Sequence, residues 1–371
     1  MTMLAYYGLM GFVFLFAVVI QLILPALVSP TLPFGVRIPG AYAHEPAIAE
    51  IRRAYLLQTV VGALIVGAAT AVLTTVTDEP LVPAGGLMAF LIVAWAIYYG
   101  AHRRLRAIKA DQGWYAGQRQ AVVVDPALRQ HPTPVPWAWA LPAILMLLVT
   151  VALGIWRYPS LPETLTTHWN ARGEPDGFAQ KSIVSAFSPV AVQSVVTAML
   201  LGLVWVIPRF RQELDVEQQP EQAVAQYRAY QTALSKSVLL LAACTNLSML
   251  VTVLQIWQVT DLGMGATMVA VSVPIVVGLI GTLWFAVRVG QAGARLRPSG
   301  AATSGYVNRD DDRFWRAGSF YVNRDDPALF VNKRFGIGWT LNLGHPLGWI
   351  ILLAMLATPL VITVAALAAS G

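Results

Sequence analysis

Eight apolar runs, each close to the length that crosses a bilayer, constrain this chain more than any other feature. They lie at about residues 3–27, 56–77, 84–101, 137–157, 185–208, 237–257, 266–288 and 347–369. A hydrocarbon core is spanned by about 20 helical residues, and backbone inside it must satisfy its hydrogen bonds internally. The fold class that follows is all-α: a polytopic membrane protein with about eight transmembrane helices. The connectors TDEPLVP and VTDLGMGA are so short that runs two and three, and runs six and seven, must form antiparallel hairpins. With 57% hydrophobic and 12% charged residues, the composition lies outside that of soluble domains. The first run lacks a basic leader and continues past the length of a signal-peptide core, so it is expected to stay in place as a helix.

Charge sets the expected orientation. Of the 25 Lys and Arg, 22 fall on the odd-numbered connecting loops. Basic loops stay in the cytoplasm, which places both termini and the fourth loop outside a bacterial inner membrane. The net charge of +6 then reflects topology rather than nucleic-acid binding. A lone cysteine, Cys244, excludes an intrachain disulfide and a cysteine-based metal site.

The fourth loop, YPSLPETLTTHWNARGEPDGFAQKS over residues 158–182, is the densest polar segment. Three prolines forbid a continuous helix, and Gly173 and the Asp176-Gly177 pair supply turns, so a compact loop with an ordered path is expected. His168, Asn170, Gly173, Glu174, Pro175, Asp176 and Lys181 are the candidate ligand-binding residues. Glu163, His168, Glu174 and Asp176 also invite a metal reading, but one histidine among carboxylates makes a weak zinc site. No metal, cofactor or catalytic residue is assigned.

The loop resembles the signature of SdpI-type bacterial membrane proteins, a pattern close to LPxxIPxHxNxxGxPDxxxxK after a transmembrane helix. Leu161, Pro162, His168, Asn170, Gly173, Pro175, Asp176 and Lys181 stand at matching positions. A second stretch, Asp312 to Trp339, is similar to a cytoplasmic domain of unknown function that accompanies the first in some of these proteins. The resemblance implies immunity to a secreted peptide or transmission of a signal, in some cases through a regulator recruited to the membrane. Phe34-Gly35-Val36-Arg37-Ile38-Pro39 resembles the GIRTP element of the same family. It is expected to be a turn with Arg37 at the lipid head groups, followed by a short helix with Ile48, Ile51 and Tyr55 along the membrane surface.

The seventh loop repeats itself: Tyr306-Val-Asn-Arg-Asp-Asp311, Tyr321-Val-Asn-Arg-Asp-Asp326 and the partial echo Val331-Asn-Lys-Arg334. Aromatic β-formers followed by Asn and Asp predict short strands, with carboxylates closing turns and pairing with the interleaved arginines. With its large aromatic content the segment is expected to form a small cap on the cytoplasmic helix ends. The Asp-rich stretches lack the EF-hand pattern needed for a calcium loop.

Four segments are therefore expected: an N-terminal three-helix membrane region with a basic cytoplasmic loop (1–136), an SdpI-like membrane domain with its motif loop at 158–184 (137–290), a cytoplasmic aromatic-rich repeat segment (291–346) and a last transmembrane helix (347–371). The runs carry no ionisable side chain away from their ends, which argues against an intramembrane enzyme and against an ion-coupled transporter. Gln21, Gln58, Gln193, Asn246 and Gln255 are expected to hydrogen-bond between helices. The function expected is non-enzymatic: sensing or neutralising an extracellular peptide or envelope stress. Its expected partners are the bilayer, an extracellular peptide and a cytoplasmic regulator, with no direct contact to nucleic acid. A transporter or flippase of an uncharged or lipid-like solute is the alternative, and a structural accessory subunit the third reading.

Overall fold

The structure, a computed structural model, describes residues 2–77, 79–123, 128, 130–169, 175–210, 214–260, 262–296, 304–336 and 338–370. Among them, eight long helices follow one another: α1 Thr2–Leu27, α2 Pro46–Thr77, α3 Val82–Asp111, α4 Leu141–Arg157, α5 Ile183–Val206, α6 Pro220–Ile256, α7 Met264–Val289 and α8 Pro346–Ser370. Seven are long and apolar enough to cross a membrane, and α8 contributes a shorter apolar stretch, Pro346–Thr358. Leu57, Leu64 and Val76 on α2, Ile155 on α4, and Val195 and Met199 on α5 all project outward. A soluble monomer does not present apolar faces of that extent to water, so lipid is the medium these helices are built for. The chain is a polytopic membrane protein.

Inside the bundle, polar groups find one another. Gln193 Nε2 donates to Asn246 Oδ1 at 2.8 Å, and Asn246 Nδ2 donates to Thr197 Oγ1 at 2.9 Å, linking α5 to α6. Tyr55 donates its hydroxyl to Gln21 Oε1 at 3.3 Å, and Gln255 donates to the Leu262 carbonyl at 3.1 Å. Gln58 departs from expectation, since its position on α2 turns it to the exposed face.

The connecting segments sort to the two ends of the bundle. At one end, Tyr6 donates to the Pro80 carbonyl at 2.6 Å, and Arg157 reaches the carbonyls of Trp257 and Gln258. At the other, loops one, three, five and seven knit together. Strand β1 (Gln120–Ala121) pairs in parallel with β4 (Val307–Asn308), and Gly40 donates its backbone N–H to Glu217 at 2.9 Å. This alternation follows from an odd and even succession of spans, and the basic loops share one end.

The seventh loop folds as the expected cap. Strand β5 (Trp315–Arg316) pairs antiparallel with β6 (Phe320–Tyr321), and β7 (Phe330–Asn332) with β8 (Trp339–Leu341). Trp315, Tyr321 and Val331 form its small core, while Trp339 lies against Phe210 and Tyr230 of the helix ends. Asn342, fully buried, ties the pieces: its Nδ2 donates to the carbonyls of Asn323, Asp326 and Ala328, and its Oδ1 accepts from the N–H groups of Asn323 and Gly344. The second repeat closes on itself as predicted, with Asn323 Oδ1 accepting from the Asp325 N–H and Asp326 Oδ1 from the Ala328 N–H. In the first repeat Asp310 Oδ1 likewise accepts from the Asp312 N–H, at 3.3 Å, while Asp310 also meets Lys109 of α3 and Asp311 meets Arg334 within the cap.

Candidate functional site

The fourth loop is more regular than a compact turn. Strand β2 (Thr164–Trp169) and strand β3 (Pro175–Gln180) form an antiparallel hairpin whose register shifts around His168, setting that residue opposite Gly177. Alternating Leu165 and His168 explain the two faces: Leu165 is fully buried, against Val253 of α6, Trp257 just past its end and Leu161, while His168 stands in solvent. Lys181 anchors the hairpin base, donating to the carbonyls of Leu161 at 2.9 Å and Pro159 at 3.2 Å with its ammonium over the Tyr158 ring. Ser182 then caps α5 in a reciprocal exchange with Ser185.

His168 Nδ1 and Asp176 Oδ1 are 2.6 Å apart, with 71% and 42% of their side chains exposed. A pair this open to water contributes about 0–1 kcal/mol to stability. Its value to the fold is therefore small. Of the seven predicted site residues, the structure brings His168, Pro175 and Asp176 together at the hairpin's outer part and places Lys181 at its base. Asn170, Gly173 and Glu174 lie outside the described residues. Among the described residues, no cluster of three or more His, Cys, Asp or Glu is set to hold a metal.

A second constellation forms at the opposite end, where sequence reasoning expected only a surface turn. Phe34, Val36 and Ile38 are fully buried with Tyr55, Tyr98, Leu105 and Trp114, in a segment that is buried along its whole length from Thr31 to Pro39. Ile48, Ile51 and Tyr55, expected along the membrane surface, belong to that core instead. Arg37 is likewise withdrawn from the head groups and only 6% exposed: its backbone N–H donates to Asp312 Oδ1 at 3.0 Å and its Nε lies 3.7 Å from Asp311.

Around Arg37 the charges balance. Lys109 Nζ lies 2.8 Å from Asp310 and 2.6 Å from Asp312, and Arg334 grips Asp311 and Asp312 with its two terminal nitrogens while donating to the Gly35 carbonyl at 3.1 Å. Three cations thus face three carboxylates drawn from loop one, the end of α3 and the cap. Burial alone would push the Asp312 carboxyl up, but Arg334 and Lys109 outweigh it and hold the group below its ordinary value.

The chain must bend sharply to reach this place. Phe34 sits at φ +48° and Gly35 at +74°, the left-handed region that an aromatic residue avoids. His102 Nδ1, 2.9 Å from the Phe34 carbonyl, fixes the bend. A Cβ on Gly35 would stand 2.6 Å from the Gly318 carbonyl oxygen and 2.7 Å from the Tyr98 hydroxyl. Only glycine allows the elbow of loop one to sit this close to the cap. His102 was an isolated histidine by sequence, and its partner lies 68 positions away.

Residues 145–193, covering most of α4, the hairpin and the start of α5, match a domain of unknown function, DUF1648. Residues 324–349, covering the end of the second repeat, β7, β8 and the start of α8, match a family of unknown function, DUF5808. No curated protein and no solved structure matches the chain.

Proposed function

We propose that this membrane protein is a non-enzymatic sensor or immunity protein of the SdpI type. In this reading the hairpin meets an extracellular peptide or envelope stress outside the inner membrane, and the cap presents the output to a cytoplasmic regulator. Both termini then lie outside. The observation that carries the reading is α6, one unbroken helix that joins the two ends. Its C-terminal boundary residue Trp257 packs under the hairpin with Leu161 and Leu165, and its Tyr230 lies against Trp339 of the cap. At a rise of about 1.5 Å per residue these contacts are separated by roughly 40 Å, the thickness of a bilayer with its interfaces. A ligand that tilts or shifts the hairpin on Trp257 therefore has a rigid element to push.

The test compares His168→Ala and Asp176→Ala for membrane abundance and for tolerance to secreted peptides and envelope stress. Since the exposed pair adds little stability, abundance should match wild type while tolerance is lost. Reduced abundance, or unchanged tolerance in both variants, would contradict a ligand-binding role for the hairpin.

A further inference from the structure

The helical pair α2 and α3 carries a groove on its flank, a cavity of about 360 Å³, within the size range of ligand pockets. Two close approaches set the register of the pair: a Cβ on Gly62 would stand 3.0 Å from Val93 Cγ1, and one on Gly86 2.1 Å from Thr70 Oγ1. Followed toward the start of α2 and the end of α3, that antiparallel register brings Arg52 and Arg53 level with Arg103 and Arg104. Val93, Ile97, Gly100 and Arg104 recur along one face of α3 at helical spacing, with Ala54 and Gln58 across from them on α2. At 1.5 Å per residue the groove runs about 16 Å from Arg104 to Val93. That is roughly the hydrocarbon depth of one leaflet, half of about 30 Å.

Polarity changes along the groove in a fixed order. At its mouth Arg52, Arg53, Arg103 and Arg104 are exposed, and among the described residues no carboxylate pairs with any of them. Glu50 and Asp111, the nearest acids in sequence, still leave a positive excess. About 8 Å deeper by the same register, Gln58 offers the groove a neutral amide. Beyond it the lining is Val93, Ala96 and Ile97. Cation, then neutral hydrogen-bonding group, then hydrocarbon is the order that meets the phosphate, ester and acyl chain of a glycerophospholipid. Basic pockets between helices at a membrane surface hold anionic head groups, whereas a zwitterionic head group brings a cation of its own to this mouth.

We propose that the groove binds a glycerophospholipid of net negative charge, its phosphate at Arg104 and Arg103, an ester carbonyl at the Gln58 amide and one acyl chain along Val93, Ala96 and Ile97. Ile51 and Tyr55 line the groove and also belong to the core that seats the elbow of loop one. A bound lipid therefore braces the place where the cap docks. The proposal holds whichever leaflet this end faces, and it does not depend on what the hairpin of loop four binds.

The test titrates the full chain, stripped of lipid by detergent exchange, with radiolabelled phosphatidylglycerol, using unlabelled phosphatidylglycerol, phosphatidylcholine and glycerol phosphate as competitors. Phosphatidylglycerol should displace the label at least about fivefold more effectively than phosphatidylcholine, and glycerol phosphate should not displace it over the same range. Arg104→Gln should weaken phosphatidylglycerol by about fivefold, as expected for one arginine at an anionic lipid, whereas Arg316→Gln on the exposed cap should bind like wild type. Gly100→Leu should block the chain: a Cβ there meets nothing within 4 Å, so the side chain enters the groove without disturbing the fold. Ala96→Leu, at an exposed position in the same lining, decides the matter if Gly100→Leu does not fold. Equal displacement by the two lipids, or unchanged binding in Arg104→Gln or in the groove-filling variants, would overturn the proposal. So would displacement by glycerol phosphate as strong as by the lipid, which would mark a phosphate site without a chain, or a loss in Arg316→Gln as large as in Arg104→Gln, which would mark diffuse charge.

Discussion

Replacing Asp312 by Asn removes the charge that three segments share. The carboxylate, with 9% of its side chain exposed, receives Lys109 at 2.6 Å and the Arg37 N–H at 3.0 Å, and it is gripped by Arg334, whose side chain is 2% exposed. The amide keeps the shape but leaves two buried cations short of a partner. Breaking a buried pair from one side costs about 3–5 kcal/mol, which at about 1.4 kcal/mol per decade raises the open fraction of the cap by roughly two to three and a half orders of magnitude. Proteolysis reports that fraction when opening and closing are fast compared with cleavage. In vesicles with the cap exposed, Asp312→Asn should therefore be cut within 304–336 far faster than wild type, whereas Asp325→Asn on the exposed turn should be cut at nearly the wild-type rate. Cleavage of Asp312→Asn within about threefold of wild type, a shift of under 1 kcal/mol, would show that the ion cluster does not hold the cap and would refute the reasoning.

Acid should act on the same group. Because the folded-state carboxyl of Asp312 is held below its ordinary value, its stabilisation is complete above about pH 4, the unfolded value, and is lost as pH falls through the lowered folded value; cap protection followed from pH 6 to pH 2 should decline only at the acid end, and less in Asp312→Asn. Gly35→Ala forces a Cβ to 2.6 Å from the Gly318 carbonyl at a φ of +74°; strain and overpacking of about 1–3 kcal/mol each should lower the melting temperature and open the cap. Trp257→Ala removes a fully buried ring whose N–H donates to the Ala186 carbonyl at 3.0 Å; a loss of about 3–5 kcal/mol should speed tryptic cleavage after Lys181.

Period and length made the helices legible before the structure. Each apolar run became a helix within a few residues of its expected bounds except where polar residues prolong it: α6 begins at Pro220, well before its apolar part, because Tyr227 and Tyr230 give its lead-in a face to bury against the cap. Asp–Arg pairing in the cap was also legible, since alternating opposite charges leave few other uses. The partners were not. Arg37 and Asp312 are 275 positions apart, and nothing local distinguishes an arginine destined for lipid head groups from one drawn under a cap. The same limit hid His102 and set Ile48, Ile51 and Tyr55 on the wrong surface. In the fourth loop, prolines and glycines announced turns, but the strands between them rest on Leu165 finding Trp257 at the end of α6, a contact between segments. Gln58 shows the converse, a polar residue in an apolar run that stands on an exposed face of α2.

The account rests on a hairpin that faces the outside and a cap that faces the cytoplasm. The most direct test is labelling of single cysteines with a membrane-impermeant thiol reagent in a Cys244→Ala background, using Ser160→Cys at the hairpin end and Asp325→Cys on the cap, both at exposed positions. Ser160→Cys should label in intact cells, and Asp325→Cys only after the membrane is permeabilised. Labelling of Asp325→Cys but not Ser160→Cys in intact cells would invert the protein in its membrane and contradict the assignment of input and output faces.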